Sequence, residues 1–207
     1  MKIALGTKIT DLPFGGGNQF ANVLRRILSE NGHEVFNDLT CPNLDIILIT
    51  EPRCWLQASS FGPLEVNRYL RKVNRDAIVV HRVNECDERK GTQTVNKQLA
   101  LANKLADHTV YIATWLIKLF QQYKLTERYS VVRNGADHKI FEFDLKQRPR
   151  QGEKFRIVTH HWSLNFNKGW DIYRQIDEMV GANSDYEFHY IGNKPKDAST
   201  LWEHQRY

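Results

Sequence analysis

Lys168 and Gly169 stand where an anion can be held. They follow the strand-like run Phe155–Thr159 and directly precede the amphipathic run Trp170–Val180. A strand, a polar loop and a helix in that order leave the first N–H groups of the helix unpaired, with the positive end of its dipole facing the loop. A lysine adds a compact charge there, which suits a diphosphate; an ordinary exposed lysine is the competing reading. The same loop carries His160, His161 and Ser163. Adjacent histidines rarely reach one ion together and no third ligand accompanies them, so a metal centre is not expected.

Two further polar clusters lie in the first half. Gly15-Gly16-Gly17-Asn18 separates a short apolar run from a helical one. Three glycines let a ligand approach the backbone closely, or simply form a flexible turn. The glycines are contiguous and Phe20 falls where the last glycine of G-x-G-x-x-G belongs, which argues against a dinucleotide fingerprint. The second cluster, His81-Arg82-Val83-Asn84-Glu85-Cys86-Asp87-Glu88-Arg89-Lys90-Gly91, starts at the end of a buried strand. In an open α/β sheet such ends face the ligand, although a solvated loop of mutually paired charges is an equally simple account. His81 and Arg82 point to opposite faces of a continuing strand, so only one of them reaches a cleft.

The elements that must position these residues alternate. Strands are expected at Ile3–Leu5, Glu34–Phe36, Asp45–Thr50, Ala77–Val83, Thr109–Ala113 and Ser130–Val132. Helices are expected at Gln19–Asn31, where Phe20, Val23, Leu24, Ile27 and Leu28 recur at helical spacing, and at Thr94–Ala106 and Trp115–Tyr123. A basic helix is expected at Leu64–Arg75, with Leu64, Val66, Tyr69, Leu70 and Val73 as its apolar stripe. Its Arg68, Arg71, Lys72 and Arg75 make either an ordinary surface or a face for anionic lipid headgroups. Alternation of this kind implies parallel strands joined by crossover helices. After the polar segment 146–154, which reads as a linker, a second unit opens with Phe155–Thr159, Trp170–Val180 and Tyr186–Ile191, and Ala198–Tyr207 begins another helix. The expected domains are 1–145 and 155–207. Two strands and one crossover cannot cover both faces of a sheet, so the second domain is expected to be incomplete and the natural protein longer.

Composition narrows the classes. The 207 residues are 41% hydrophobic, enough for a packed core, and no run approaches the roughly 18 apolar residues of a membrane span. Cys41, Cys54 and Cys86 are odd in number and lack C-x-x-C spacing, which points away from disulfide or zinc frameworks and toward a reducing cytoplasm. The net charge of +5 fits an anionic partner such as a phosphorylated molecule, a lipid surface or nucleic acid. No recognisable module for reading RNA or DNA accompanies it, so nucleic acid is not the expected partner.

Several segments together resemble the retaining GT-B glycosyltransferases of family 4. Ala106–Phe120, ADHTVYIATWLIKLF, looks like the strand and helix that follow that family's "aD" pair. Val131–Phe141, VVRNGADHKIF, is similar to the signature closing its N-terminal domain, and Phe155–Tyr173 to the K-G opening of its C-terminal domain. Tyr186–Asn193, YEFHYIGN, resembles the next strand with its glycine, Gly192. The resemblance implies two Rossmann-like, doubly wound parallel-sheet domains facing one another across a cleft. The donor would be a UDP- or GDP-linked sugar, with no separate cofactor, and the acceptor a glycan or a lipid-linked molecule. Lys168 with Gly169 would hold the diphosphate, and His161, Ser163 and Gly192 would lie with them. Gly15, Gly16 and Gly17 would approach donor or acceptor, and Asn134 and Asp137 would shape the domain junction. His81 would be the polar group near the anomeric carbon, with Asp87 or Glu88 as its companion. The cysteines and the basic stretch Leu64–Arg75, apart from the resemblance, point to the cytoplasm with the inner face of an anionic membrane as a place for peripheral contact.

Two departures qualify the resemblance. The family's arginine five residues before the K-G lysine is replaced here by Ser163, and its E-x7-E segment would lie beyond Tyr207. The isolated chain is therefore expected to be inactive or nearly so. A non-catalytic nucleotide or nucleic-acid binding protein is the alternative; it predicts salt-dependent affinity for oligonucleotides.

Overall fold

A computed structural model gives the architecture and describes residues 1–11, 15–136, 152–161, 164 and 168–193; at His161 it describes the backbone alone. Asp137, Ser163, positions 146–151 of the expected linker and the expected helix at 198–207 lie outside the described residues. The chain divides into two compact units, Met1–Gly135 and Ala136–Tyr207.

The first unit runs β1 (Lys2–Leu5), α1 (Gly15–Glu30), β2 (Glu34–Phe36), β3 (Ile46–Ile49), α2 (Pro63–Lys72), β4 (Ile78–Val83), α3 (Asp87–Lys90), α4 (Val95–Asn103), β5 (His108–Tyr111), α5 (Thr114–Phe120) and β6 (Tyr129–Val131). Its six strands form one sheet in the order β2-β1-β3-β4-β5-β6, every pair parallel. The chain leaves β1 toward β2 and returns to β3 on the other side. The crevice at the carboxyl ends of β1 and β3 is therefore a topological switch point, where open α/β sheets bind ligands.

Two apolar clusters hold the sheet. Leu44, Ile47, Ile49, Val66 and Val79 are each no more than 1% exposed and pack with Phe61 and Tyr69. Val83, Cys86, Val95, Leu99, Tyr111, Leu116 and Phe120 form the other. Each fully buried aliphatic side chain contributes about 1.5–3 kcal/mol, so several are needed to offset the entropy of ordering a unit this size. Tyr69 adds a polar lock: its hydroxyl accepts from Leu44 N at 3.0 Å and donates to the Cys41 carbonyl at 2.7 Å.

Three helix expectations are corrected. α1 begins at Gly15, not Gln19, so the three glycines form its first turn. α2 ends at Lys72, where Val73 leaves helical geometry with φ −120° and ψ −66°. Its buried side is Val66 and Tyr69, while Leu64 and Val73, expected in the apolar stripe, are 76% and 52% exposed. The expected helix Trp115–Tyr123 is α5 followed by one 3₁₀ turn at Gln121–Tyr123, closed by Lys124 in the left-handed region at φ +50°.

The second unit contains β7 (Phe155–His161), α6 (Trp170–Ala182) and β8 (Tyr186–Gly192), with β7 and β8 parallel. An aromatic cluster docks α6 on the strands. Trp170 is 1% exposed and its ring centroid lies 5.2 Å from that of Tyr190, while Tyr173 lies 6.2 Å from Phe188.

Candidate functional site

At the switch point of the first unit a cavity of about 190 Å³ opens. Thr7 and Lys8 reach it from beyond β1, Thr50 and Glu51 from beyond β3, and Arg82, Asn84 and Glu85 from β4 and its exit. Gly17, Asn18 and Phe20 of α1 close it from above, and Ala58 completes the rim. Gly6 permits this convergence, because a Cβ there would stand 2.9 Å from the Leu48 carbonyl oxygen. The Thr7 and Thr50 hydroxyls bond to one another across the strand ends.

α1 is fixed over the cavity by its own first turns. Asn18 Oδ1 accepts from Thr10 N at 2.9 Å, and Asn18 Nδ2 donates to the Thr10 carbonyl at 2.8 Å. Asn22 Nδ2 donates to the same carbonyl at 3.1 Å. The exit of β1 is thereby tied to the helix start. Gly15, Gly16 and Gly17 border open space, since a Cβ at any of them would meet nothing within 4 Å. No acidic residue occupies this first turn, so its positive end is not locally neutralised.

β4 decides which polar side chain faces the ligand. His81 is 0% exposed and turns into the core, where its Nδ1 lies 3.1 Å from Asn103 Nδ2. The amide can only donate, so Nδ1 accepts and the ring proton sits on Nε2, which has no partner among the described residues. Burial pushes this imidazole down to about 4, so it is neutral near pH 7. The expectation that His81 faces the cleft is therefore corrected: Arg82, on the opposite face of the strand, reaches the cavity instead.

Arg82 is 6% exposed. Its Nη2 donates to Asn134 Oδ1 at 2.9 Å, and its guanidinium carbon lies 3.7 Å from the centroid of the Phe20 ring. Burial pushes it down to about 10. Asn134, from beyond β6 and within the first unit, thus touches this site through Arg82.

The carboxylates nearby are engaged elsewhere. Both Glu51 oxygens accept from Arg53, at 2.6 Å each, and Glu85 accepts from Arg53 and from Lys90 at 2.9 Å. The hydrogen bonds that Arg53 donates to Glu51 hold it well above the usual guanidinium value despite burial. Burial pushes Glu85 up, but Lys90 and Arg53 outweigh it and leave the carboxyl below its ordinary value. Asp87, expected beside His81, is a helix cap. Its Oδ1 accepts from Thr92 Oγ1 at 2.6 Å and Val95 N at 2.9 Å, and its Oδ2 from Asn96 N at 3.1 Å. Burial raises it, and these bonds more than reverse that, leaving it lowered. Glu88 is exposed and accepts from Asn96 Nδ2 at 3.2 Å. Neither carboxylate lines the cavity.

In the second unit the described candidates, His161, Lys168, Gly169 and Gly192, fall at one end of the strands. Lys168 is exposed and Gly169, with φ +95°, is the N-cap of α6. His161 pairs in register with Gly192, which has φ +137°, at the carboxyl ends of β7 and β8. Trp170 and Tyr173 anchor the first turn of α6 there, and Thr159 Oγ1 donates to the Tyr173 hydroxyl at 3.2 Å. A larger hollow of about 460 Å³, lined by Lys154, Val180 and Tyr186, lies at the other ends of the strands and holds none of these residues. Among the described residues no group of three or more His, Cys, Asp or Glu is arranged to hold a metal.

Neither a protein-family model nor a curated protein matches the sequence. Solved structures do. Anabaena Alr3699/HepE, in complex with UDP and glucose, matches with a TM-score of 0.58 at 14% identity, over 97% of this chain and 63% of that one. S. aureus MnaA, in a co-structure with UDP, matches at 14% identity with a TM-score of 0.45, over 96% of this chain and 52% of that one. This chain thus spans less than two thirds of the length of either. At such identity the likeness to HepE speaks to fold, and the fold is α/β with Rossmann-like parallel sheets of GT-B type.

Proposed function

We propose that the protein is a glycosyltransferase that moves a sugar from a UDP- or GDP-linked donor to a glycan or lipid-linked acceptor, with retention, in the manner of the family 4 enzymes its sequence resembles. The observation that carries this reading is the end of the second unit where Lys168, the N-terminus of α6 and Gly192 meet the carboxyl ends of β7 and β8. A leaving nucleoside diphosphate needs negative charge stabilised as the glycosidic bond breaks. A lysine beside the positive end of a helix, fixed by packed aromatics, would supply that without reorganisation. Rate enhancement then comes from positioning and electrostatics. His161, Ser163 and Asp137 belong to the same proposal, and Gly15–Gly17 with Asn134 serve the first unit's ligand.

Calorimetry with UDP, GDP and their glucose and mannose conjugates tests the reading. One nucleotide sugar is expected to bind and to raise the melting temperature, since a ligand selective for the folded state stabilises it. Indifference to all of them, with salt-dependent affinity for oligonucleotides, would move the assignment to the non-catalytic alternative. The anomeric proton coupling of the product, read by NMR, decides retention.

We also propose peripheral membrane contact in the cytoplasm through α2. Its exposed Leu64, Arg68, Arg71 and Lys72 offer apolar and cationic groups together. Among the described residues no helix is long and apolar enough to cross a membrane. Co-sedimentation with anionic but not neutral liposomes is the expected result.

A further inference from the structure

Arg82 is a buried cation that no carboxylate among the described residues meets. Its two partners, the Asn134 amide and the Phe20 ring, are neutral. They fix the guanidinium in place, while Nε and Nη1 make no hydrogen bond among the described residues. A charge held that way at 6% exposure is unfavourable until an anion joins it. Glu51 and Glu85 line the same cavity but are bonded to Arg53 and Lys90. With Lys8 on the rim, the cavity and its immediate partners set four cations against two carboxylates.

A second, independent feature points the same way. α1 is 16 residues long, its first turn holds no acid, and Gly17 lines the cavity. Gly17 and Asn18 bring this end of the helix to the space that Arg82 enters. Size limits the guest. Pockets for drug-sized ligands measure about 300–1,000 Å³, and a cavity of about 190 Å³ holds one end group, not a whole nucleotide sugar.

We infer that this pocket receives one small oxyanion, a phosphate or carboxylate borne by the acceptor, with Arg82 as its counter-charge and the first-turn N–H groups of α1 as further donors. The planar fork of arginine fits either group through paired hydrogen bonds. Naming the bearer as the acceptor rests on the glycosyl-transfer reading; the oxyanion site itself does not.

The test is calorimetry of the chain with glucose 6-phosphate, glucuronate and glucose at one ionic strength, repeated on Arg82→Gln and Arg82→Lys. At least one anionic sugar is expected to bind about tenfold tighter than glucose. Arg82→Gln should erase that preference and Arg82→Lys restore only part of it, because the ammonium lacks the fork. Circular dichroism checks that the variants fold. If Arg82→Gln does not, Lys8→Gln at the exposed rim should still weaken the anionic probes without touching glucose. Equal affinity for all three sugars overturns the inference. So does displacement of glucose 6-phosphate by UDP with loss of UDP affinity in Arg82→Gln, which would give the pocket to the donor. UDP binding that survives Arg82→Gln keeps the two sites apart. A chain that takes the anionic sugar through Arg82 but binds no nucleotide retains the oxyanion site and loses the transferase reading.

Discussion

Arg53 and Arg82 stand at the same edge of the sheet under opposite circumstances. Arg53 forks onto Glu51 and reaches Glu85, which binds Lys90 in turn, so the loop after β3 is riveted to the segment after β4. Arg82 lies between an amide and a ring, and burial weakens its hold on its proton. A buried ion pair whose members satisfy one another is architecture, because removing either strands the other. A buried charge left without an opposite charge is a candidate for a ligand site. The difference separates which arginine holds the crevice open from which one fills it.

Mutation can break that contrast. Arg53→Met strips Glu51, whose side chain is 15% exposed, of its cation and leaves Glu85, 19% exposed, with Lys90 alone. A loss of about 3–4 kcal/mol in urea unfolding is expected. A loss under about 1 kcal/mol would mean the cluster is ordinary surface chemistry. His81 supplies a neutral counterpart on the same strand. Its folded value near 4 lies below the ordinary 6.5, so the unfolded chain binds more protons as pH falls from 6.5 toward 4. Stability should therefore be full above that window and drop by roughly 2–3 kcal/mol across it. The lowered Glu85 and Asp87 steepen the decline at its acid end, because they too favour protonation of the unfolded chain. His81→Asn should flatten the slope between 6.5 and 4; an unchanged slope would assign it to other groups.

Smaller effects sharpen the same comparison. Lys168 is exposed, so Lys168→Ala should leave stability within about 0.5 kcal/mol while weakening nucleotide-sugar binding about tenfold. Unchanged affinity in calorimetry would remove it from the proposed diphosphate site. Asp87→Ala strips the cap of α4 and should cost about 1 kcal/mol, seen as faster amide exchange at Val95 and Asn96. Arg82→Gln should be the mildest in urea unfolding, near zero, since no carboxylate is orphaned by it.

Much of the fold was legible, because parallel strands covered on both faces read as apolar runs, as at Ile46–Ile49 and Ile78–Val83. Helix ends were less so. Gly15–Gly17 read as loop because glycine is a weak helix former, yet Asn18 and Asn22 bind the Thr10 carbonyl and stabilise the turn they begin. The site depended on the parity of one strand. Alternation shows that His81 and Arg82 diverge, but not which faces the crevice. That is set by Asn103 for one and Asn134 for the other, 22 and 52 residues away along the chain. Asp87 shows the same limit, since its capping role needs the start of α4 to fold back onto it.

Asn134 sits just past β6, at the last residues of the first unit, and its side-chain oxygen is tethered to the Arg82 guanidinium. A guest that takes over this N–H must detach the amide, whereas one that settles on the remaining N–H groups leaves the tether closed. Only a guest of the first kind would link the crevice to the strip of backbone through which the polypeptide departs from its first sheet.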